Sequence, residues 1–209
     1  MAGSMGINTL GFDDILKQCS AKLRGREGDL LPGAPVNADS PAGDCAAYFE
    51  SFDGATWVDA KLQKVADELS EMLRQVRYRA PHAKRVLVGY PRLVPQDTAK
   101  CLAPAPGQSE LPFADIPADA LPFLARTEKL LDEVLNTAAF LDNVTFVDLY
   151  GQTGTHTACD GAQRGIGGLL ENSELGIGQS IPWFAHPNRK GRDLQAQHVA
   201  AKIEQALNR

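Results

Sequence analysis

The chain of 209 residues lacks several features that mark well-defined classes of protein. It has no apolar run near the roughly 20 residues of a membrane helix, and its first residues have neither the charged start nor the long apolar stretch of a signal peptide. Basic stripes are missing too, and 21 Lys and Arg against 26 Asp and Glu give a net charge of −5. The sequence therefore predicts no membrane span and no nucleic-acid partner.

Motifs for metals and nucleotide cofactors are also missing. The four cysteines form no C-x-x-C pair, and the fragment His156-x-x-Cys159 has no second pair of ligands to complete a metal site. The glycines between 151 and 182 do not complete G-x-G-x-x-G, because Leu170 stands where the last glycine belongs. We therefore expect neither a metal nor a cofactor.

An even number of widely spaced cysteines instead favours two disulfides in an exported protein. The opening residues MAGSM are typical of an artificial start, which leaves room for a native export signal lost upstream. Composition is that of an ordinary globular protein, with 44% hydrophobic and 22% charged residues. The length suits a single domain over residues 1–209.

Helical and strand-like patterns alternate through the rest of the chain. Apolar residues recur at helical spacing in residues 55–82, 120–141 and 189–209, the last with a stripe of Leu194, Val199, Ile203 and Leu207. Short apolar runs at Val86–Val88 and Val144–Leu149 separate these helices and resemble buried strands. The alternation predicts a parallel α/β sheet, with residues 25–56 and 151–182 as long loops.

The stretch IPWFAHPNRKGRDL places His186 at the mouth of the last helix. Pro187 removes a backbone donor, and Asn188 is placed to cap a helix beginning near Gly191. This lies beyond the last strand, where active sites of open α/β sheets collect. Two interpretations stand at this point: a histidine at a helix start without chemical role, and a catalytic base.

The residues AHPNRKG resemble the histidine block of the SGNH, or GDSL-type, ester hydrolases. The resemblance implies that His186 is the general base of a serine triad or dyad. Most members have Asp three residues before the histidine, whereas this chain has Trp183. Some exported actinobacterial-type members also lack this Asp, and a main-chain carbonyl at that position orients the imidazole. The resemblance therefore implies the same role for the carbonyl of Trp183.

The residues GINTLGFDDILKQC, from Gly6 to Cys19, resemble the third block of the same family. The resemblance implies that the side-chain amide of Asn8 donates to the oxyanion, although Ile7 and Thr9 depart from the block. The alternative interpretation of Asn8 is a turn residue between two glycines, with no role in catalysis. We expect Gly6 and Phe184 to contact the substrate.

Three further stretches, VLVGYPRLVP, LNTAAFLDNVTFVDLY and GTHTACD, extend the resemblance over nearly the whole chain. It implies two local disulfides, Cys19 with Cys45 and Cys101 with Cys159. It also implies a three-layer α/β/α fold.

The first strand, the Gly-Asp-Ser turn and the second block of the family have no counterpart in the sequence. Ser4 superficially resembles the nucleophile, but it lies four residues before Asn8 with no buried strand ahead of it, so we do not expect it to attack. The nucleophile is therefore not identified. In the family's strand order the third strand would become an open edge, to be covered by an upstream segment, a second chain, self-association or residues 25–56.

The resulting expectation is a secreted carboxylic ester hydrolase acting on acyl or acetyl esters, lipids included, through a serine acyl-enzyme. The alternative is a catalytically inactive module that binds an acyl or glycan ligand, or a partner chain.

Overall fold

The structure is a computed structural model that describes residues 1–24, 42–171, 173–174, 180–181 and 185–208. Its strands are β1 (Ala2–Gly3), β2 (Val86–Val88), β3 (Thr145–Val147), β4 (Ser173–Glu174) and β5 (Ser180–Ile181). Its α-helices are α1 (Ile7–Leu10), α2 (Phe12–Cys19), α3 (Ala21–Arg24), α4 (Ala42–Glu50), α5 (Phe52–Arg79), α6 (Leu121–Leu141), α7 (Leu149–Gln152) and α8 (Arg189–Leu207). Two 3₁₀ turns cover Thr98–Leu102 and Gly161–Gln163. None of the helices described is long and apolar enough to cross a membrane.

The main sheet has three parallel strands in the order β1-β2-β3. Val86 pairs with Ala2 on one side and with Thr145 on the other. Strand β3 is shorter than the predicted Val144–Leu149, because Asp148 caps α7 by accepting the N–H of Gly151 at 2.6 Å. A parallel sheet, predicted from the alternation of helices and strands, is confirmed.

Helices cover the two faces of this sheet and make three layers. Leu87 of β2 belongs to the larger core, to which α5 and α6 contribute most of their buried apolar residues. Val86 and Val147 face the opposite side and pack with Val199 and Ile203 of α8. Adjacent residues of β2 thus point to opposite faces, as in any strand. The expected α/β/α fold is confirmed.

Other predictions about local structure were wrong as well. Residues 42–50 and 52–56 are helical rather than loop, because Phe49 of α4 is buried and stacks on Phe123 with ring centroids 4.6 Å apart. The Gly, Pro, Asp and Ala content of residues 25–56 as a whole concealed the buried aromatic side chain. Leu207, placed in the apolar stripe of the last helix, is 64% exposed, and Ala206 is buried in its place. Residues 25–41, the rest of the predicted loop, lie outside the described residues.

The implied disulfides are confirmed: Cys19 bonds to Cys45 and Cys101 to Cys159. The first ties α2 to α4, and the second ties the 3₁₀ turn Thr98–Leu102 to the segment that leads toward His186. Cys159 of the fragment His156-x-x-Cys159 is therefore held in a disulfide and offers no thiolate.

Candidate active site

Gly6 begins the turn that carries Asn8. It caps α1 with φ of 121°, a conformation that side chains disfavour. A Cβ at Gly6 would also lie 3.0 Å from Cγ1 of Val65. The chain can therefore turn sharply against the core directly after β1. Asn8 follows on an exposed position of α1, while Leu10 on the same short helix is fully buried and anchors it.

The backbone around His186 is held by a segment that precedes it in sequence. Ile166 and Pro187 form an isolated antiparallel bridge, and the N–H of Gly167 donates to the carbonyl of His186 at 3.0 Å. Ala185, immediately before the histidine, has φ of 56°. Few non-glycine residues adopt this left-handed conformation, and it costs about 1 kcal/mol or more. The strained turn sets the direction in which the chain enters α8.

Asn188 caps α8, as predicted, although the helix begins at Arg189 rather than near Gly191. Its Oδ1 accepts the N–H of Gly191 at 3.0 Å, and its Nδ2 donates to the carbonyl of Arg164, also at 3.0 Å. A Cβ at Gly191 would lie 1.8 Å from the carbonyl oxygen of Gly165. Glycine is therefore required where α8 crosses the segment that holds His186.

Asn8 and His186 line one cavity of about 610 Å³ at the carboxyl ends of the strands. Ser4, at the end of β1, lines it as well, and is the single serine among the described lining residues. The wall is largely apolar, with Ile7, Phe12, Leu16, Val88, Leu93, Leu149 and Ile166. Its remaining polar side chains on described residues are Asp13, Tyr90, Glu128 and Gln195.

Glu128 is the most perturbed acid at this cavity. It is 5% exposed, and its two carboxyl oxygens accept the N–H groups of Leu93 (2.5 Å) and Val94 (3.1 Å). Burial raises the pKa of Glu128 to about 8, while these two hydrogen bonds and the nearby Arg92 act in the opposite direction.

A second acid, Asp132, lies one helical turn further along α6. Burial, with the charge of Asp148, raises the pKa of Asp132 to about 6. The guanidinium of Arg92 lies 4.1 Å from the ring centroid of Tyr150 and lowers the pKa of both acids. No group of three or more His, Cys, Asp or Glu side chains in the described ranges is placed to hold a metal ion.

The structure brings together two of the residues singled out from the sequence and leaves others untested. Asn8 and His186 share the cavity, whereas Gly6 is packed against the core and is not among the lining residues. Trp183 and Phe184 lie outside the described residues, so their proposed roles remain predictions.

Two residues at the site were missed by the sequence interpretation. Tyr90 follows β2 directly, and a polar residue at the carboxyl end of a buried strand was a usable signal. Glu128 lies between Leu124 and Leu131 at helical spacing, on the buried side of α6. An acid on an apolar helix face was the signal that should have identified it.

Comparison with known proteins finds relatives named as an esterase and a lipase. An esterase from Streptomyces scabiei is 59% identical over 208 residues, which is 99% of this chain and 60% of that protein. Lipase 2 from Streptomyces coelicolor is 32% identical over 133 residues, 63% of this chain and 40% of the lipase. These relatives support the resemblance to the SGNH-type ester hydrolases.

Solved structures of low sequence identity share the fold of this chain. A phospholipase A1 from Streptomyces albidoflavus NA297 superposes with a TM-score of 0.54 at 18% identity, covering 96% of this chain and 67% of that one. An extracellular lipase from Streptomyces rimosus gives 0.50 at 18% identity, with coverage of 98% and 68%. No family model matches the chain. The chain thus spans about 60% of the length of the esterase it resembles.

Proposed function

We propose that the chain is part of a secreted carboxylic ester hydrolase that acts through a serine acyl-enzyme. The observation that carries the proposal is the shared cavity of Asn8 and His186, which come from opposite ends of the sequence. The apolar wall suits the acyl part of an ester or lipid. Two disulfides and the similarity to an extracellular lipase support secretion.

In the proposed reaction a serine hydroxyl attacks the ester carbonyl while the imidazole of His186 takes its proton. Negative charge then develops on the carbonyl oxygen, and the side-chain amide of Asn8 donates a hydrogen bond to it. One such donor contributes roughly 3 kcal/mol to transition-state stabilisation. The carbonyl of Trp183 accepts a hydrogen bond from the Nδ1–H of the imidazole and so fixes the tautomer.

Collapse of this intermediate breaks the C–O bond to the alcohol. His186 returns its proton to the departing alkoxide, leaving the acyl group on the serine. Water then attacks the acyl-enzyme with His186 again acting as base, which releases the carboxylic acid and restores the serine.

The serine of this mechanism is proposed to come from a further segment or a second chain that completes the sheet at β1. Among the described residues β1 pairs only with β2, and both of its residues are exposed. Helices α5 and α8 extend beside it, leaving cavities of about 160 and 90 Å³ on its two faces. Apolar side chains such as Met72 and Ile203 line these spaces, so a neighbouring strand would be covered on both sides.

The test compares three proteins for hydrolysis of 4-nitrophenyl butyrate and labelling by a fluorophosphonate. They are the 209-residue chain, its Ser4→Ala variant, and a fusion of the chain with the part of the Streptomyces scabiei esterase that the chain does not cover. We expect turnover and labelling in the fusion and little of either in the chain alone, because the catalytic groups act as a unit.

Turnover by the chain that disappears in Ser4→Ala would make Ser4 the nucleophile and remove the need for a further segment. A well-folded fusion without turnover or labelling would refute the ester hydrolase and leave a binding module. His186→Ala in the fusion is the control for background hydrolysis.

A further inference from the structure

Glu128 is a buried acid for which the proposed reaction has no use. It is the single Asp, Glu, Lys or Arg among the residues described as buried, and burying a carboxyl group is costly unless it is well hydrogen-bonded. Its side chain reaches from α6 to the cavity that Asn8 and His186 line. The group therefore requires a physical account of its own.

The partners of Glu128 are the N–H groups of two consecutive residues in an irregular segment. Strand β2 ends at Val88, and residues 91–95 run between two prolines without regular structure. Leu93 and Val94 are buried there outside any strand, so their N–H groups need acceptors within the protein. Both carboxyl oxygens of Glu128 accept them, at 2.5 and 3.1 Å.

The same segment forms part of the cavity wall. Pro91 and Leu93 line the cavity opposite residues of α1 and α2. The remaining hydrogen bonds of the segment lead to the other side, where Arg92 N–H donates to Oγ1 of Thr153 at 2.8 Å and the carbonyl of Leu93 accepts the N–H of Ala158 at 3.1 Å. The hydrogen bonds of Glu128 thus link this wall of the cavity to α6.

We propose that Glu128 is a positioning residue of the ester site, whose carboxyl group holds residues 91–95 in place as a wall of the ligand cavity. A glutamine at this position keeps one acceptor oxygen but turns an amide NH₂ toward the second backbone donor. One of the two hydrogen bonds is lost and two donors then face each other. The wall should loosen although the side chain keeps its size.

The experiment measures two properties of the 209-residue chain at pH 8.5. This pH lies above the pKa of Glu128, which Arg92 lowers and Asp132 raises, so much of the carboxyl group is ionised. Amide hydrogen exchange of Leu93 and Val94 reports the two hydrogen bonds. The dissociation constant of decanoate, by titration calorimetry, reports the shape of the cavity. The choice of decanoate rests on the proposed function, whereas hydrogen exchange does not.

In Glu128→Gln we expect at least tenfold faster exchange at Leu93 and Val94 and about fivefold weaker decanoate binding. Thr127→Val is the matched control, because Thr127 is the preceding residue of α6 and is equally buried. It should leave decanoate binding unchanged even if it lowers the melting temperature, which separates positioning from stability.

Faster exchange with unchanged decanoate affinity would make Glu128 merely structural and overturn the proposal, as would unchanged exchange. A wild-type chain that does not bind decanoate would overturn the acyl site itself and the positioning role with it. If Glu128→Gln does not fold, Thr153→Val removes the acceptor of the Arg92 N–H from the same segment. Unchanged decanoate affinity in that folded variant would contradict the role of the wall.

Discussion

The hydroxyl of Tyr90 accepts a hydrogen bond from the backbone N–H of Ile7 at 3.3 Å. Tyr90 follows β2 and Ile7 follows β1, so the bond joins the carboxyl ends of two neighbouring strands. Ile7 precedes Asn8, the proposed oxyanion donor, and both line the cavity with Tyr90. The turn that carries Asn8 is thus held by a side chain that follows the adjacent strand.

Tyr90→Phe should therefore lower kcat of the active fusion by about fivefold with little change in KM, since a neutral hydrogen bond contributes roughly 1 kcal/mol. Steady-state hydrolysis of 4-nitrophenyl butyrate measures both constants. Tyr150→Phe is the control, because it also removes one hydroxyl but keeps the ring on which Arg92 stacks. Equal losses in the two variants would contradict a specific role for Tyr90.

His186→Ala should abolish turnover of the fusion, whereas Trp183→Ala should retain a measurable fraction. The imidazole is the proposed base, while Trp183 is proposed to act through its main-chain carbonyl, which alanine also has. The measurement is kcat in both variants, with circular dichroism to establish that each is folded. Complete loss of activity in a stably folded Trp183→Ala variant would refute the carbonyl role.

Asp160 would then be considered as the orienting acid, but it is already engaged. Its carboxylate pairs with Lys100 at 2.9 Å and accepts the N–H and hydroxyl of Thr157. Burial acts to raise the pKa of Asp160, yet these partners outweigh it and the pKa is lowered. We therefore expect Asp160→Asn to change stability more than kcat.

Removing the Cys101–Cys159 disulfide should destabilise the chain more than removing Cys19–Cys45. The two bridges span 58 and 26 residues, and chain entropy assigns them about 4 and about 3.5 kcal/mol. Urea unfolding of the two double Cys→Ala variants measures the difference. A larger loss from the shorter loop would show that packing, not loop closure, dominates.

The free energy of unfolding should fall as pH rises through the titration of Glu128. Burial raises the pKa of Glu128 from 4.5 to about 8, so between these values the folded chain binds more protons than the unfolded one. This contribution to stability is complete below the unfolded value and is lost as pH rises through the folded pKa. Its slope is at most about 1.4 kcal/mol per pH unit.

Urea unfolding of the wild-type chain and Glu128→Gln at pH 5, 6.5 and 8 isolates this effect, because glutamine does not titrate. The unfolding free energy of the wild type should fall relative to that of Glu128→Gln as pH rises. A difference that stays constant across these pH values would show that Glu128 titrates alike in the folded and unfolded chain.

Local patterns in the sequence were enough to predict the long helices and to indicate the family resemblance. The apolar spacing of α5 and α6 and the buried run of β2 predict these elements because each depends on residues close together in the chain. The blocks around Asn8 and His186, with their two disulfides, indicate the family for the same reason. Helix α4 escaped prediction because only its contact with Phe123 shows that Phe49 is buried.

The tertiary structure alone decided which of these residues meet. Asn8 and His186 share a cavity because β1 and the segment holding α8 end at the same edge of the sheet, a relationship that no local pattern contains. Glu128 and Tyr90 are ordinary polar residues in the sequence. In the structure each accepts a backbone N–H from a distant part of the chain, 35 positions away for Glu128 and 83 for Tyr90. Periodicity records which side of an element is buried, whereas the partner across the core is set only when the whole chain packs.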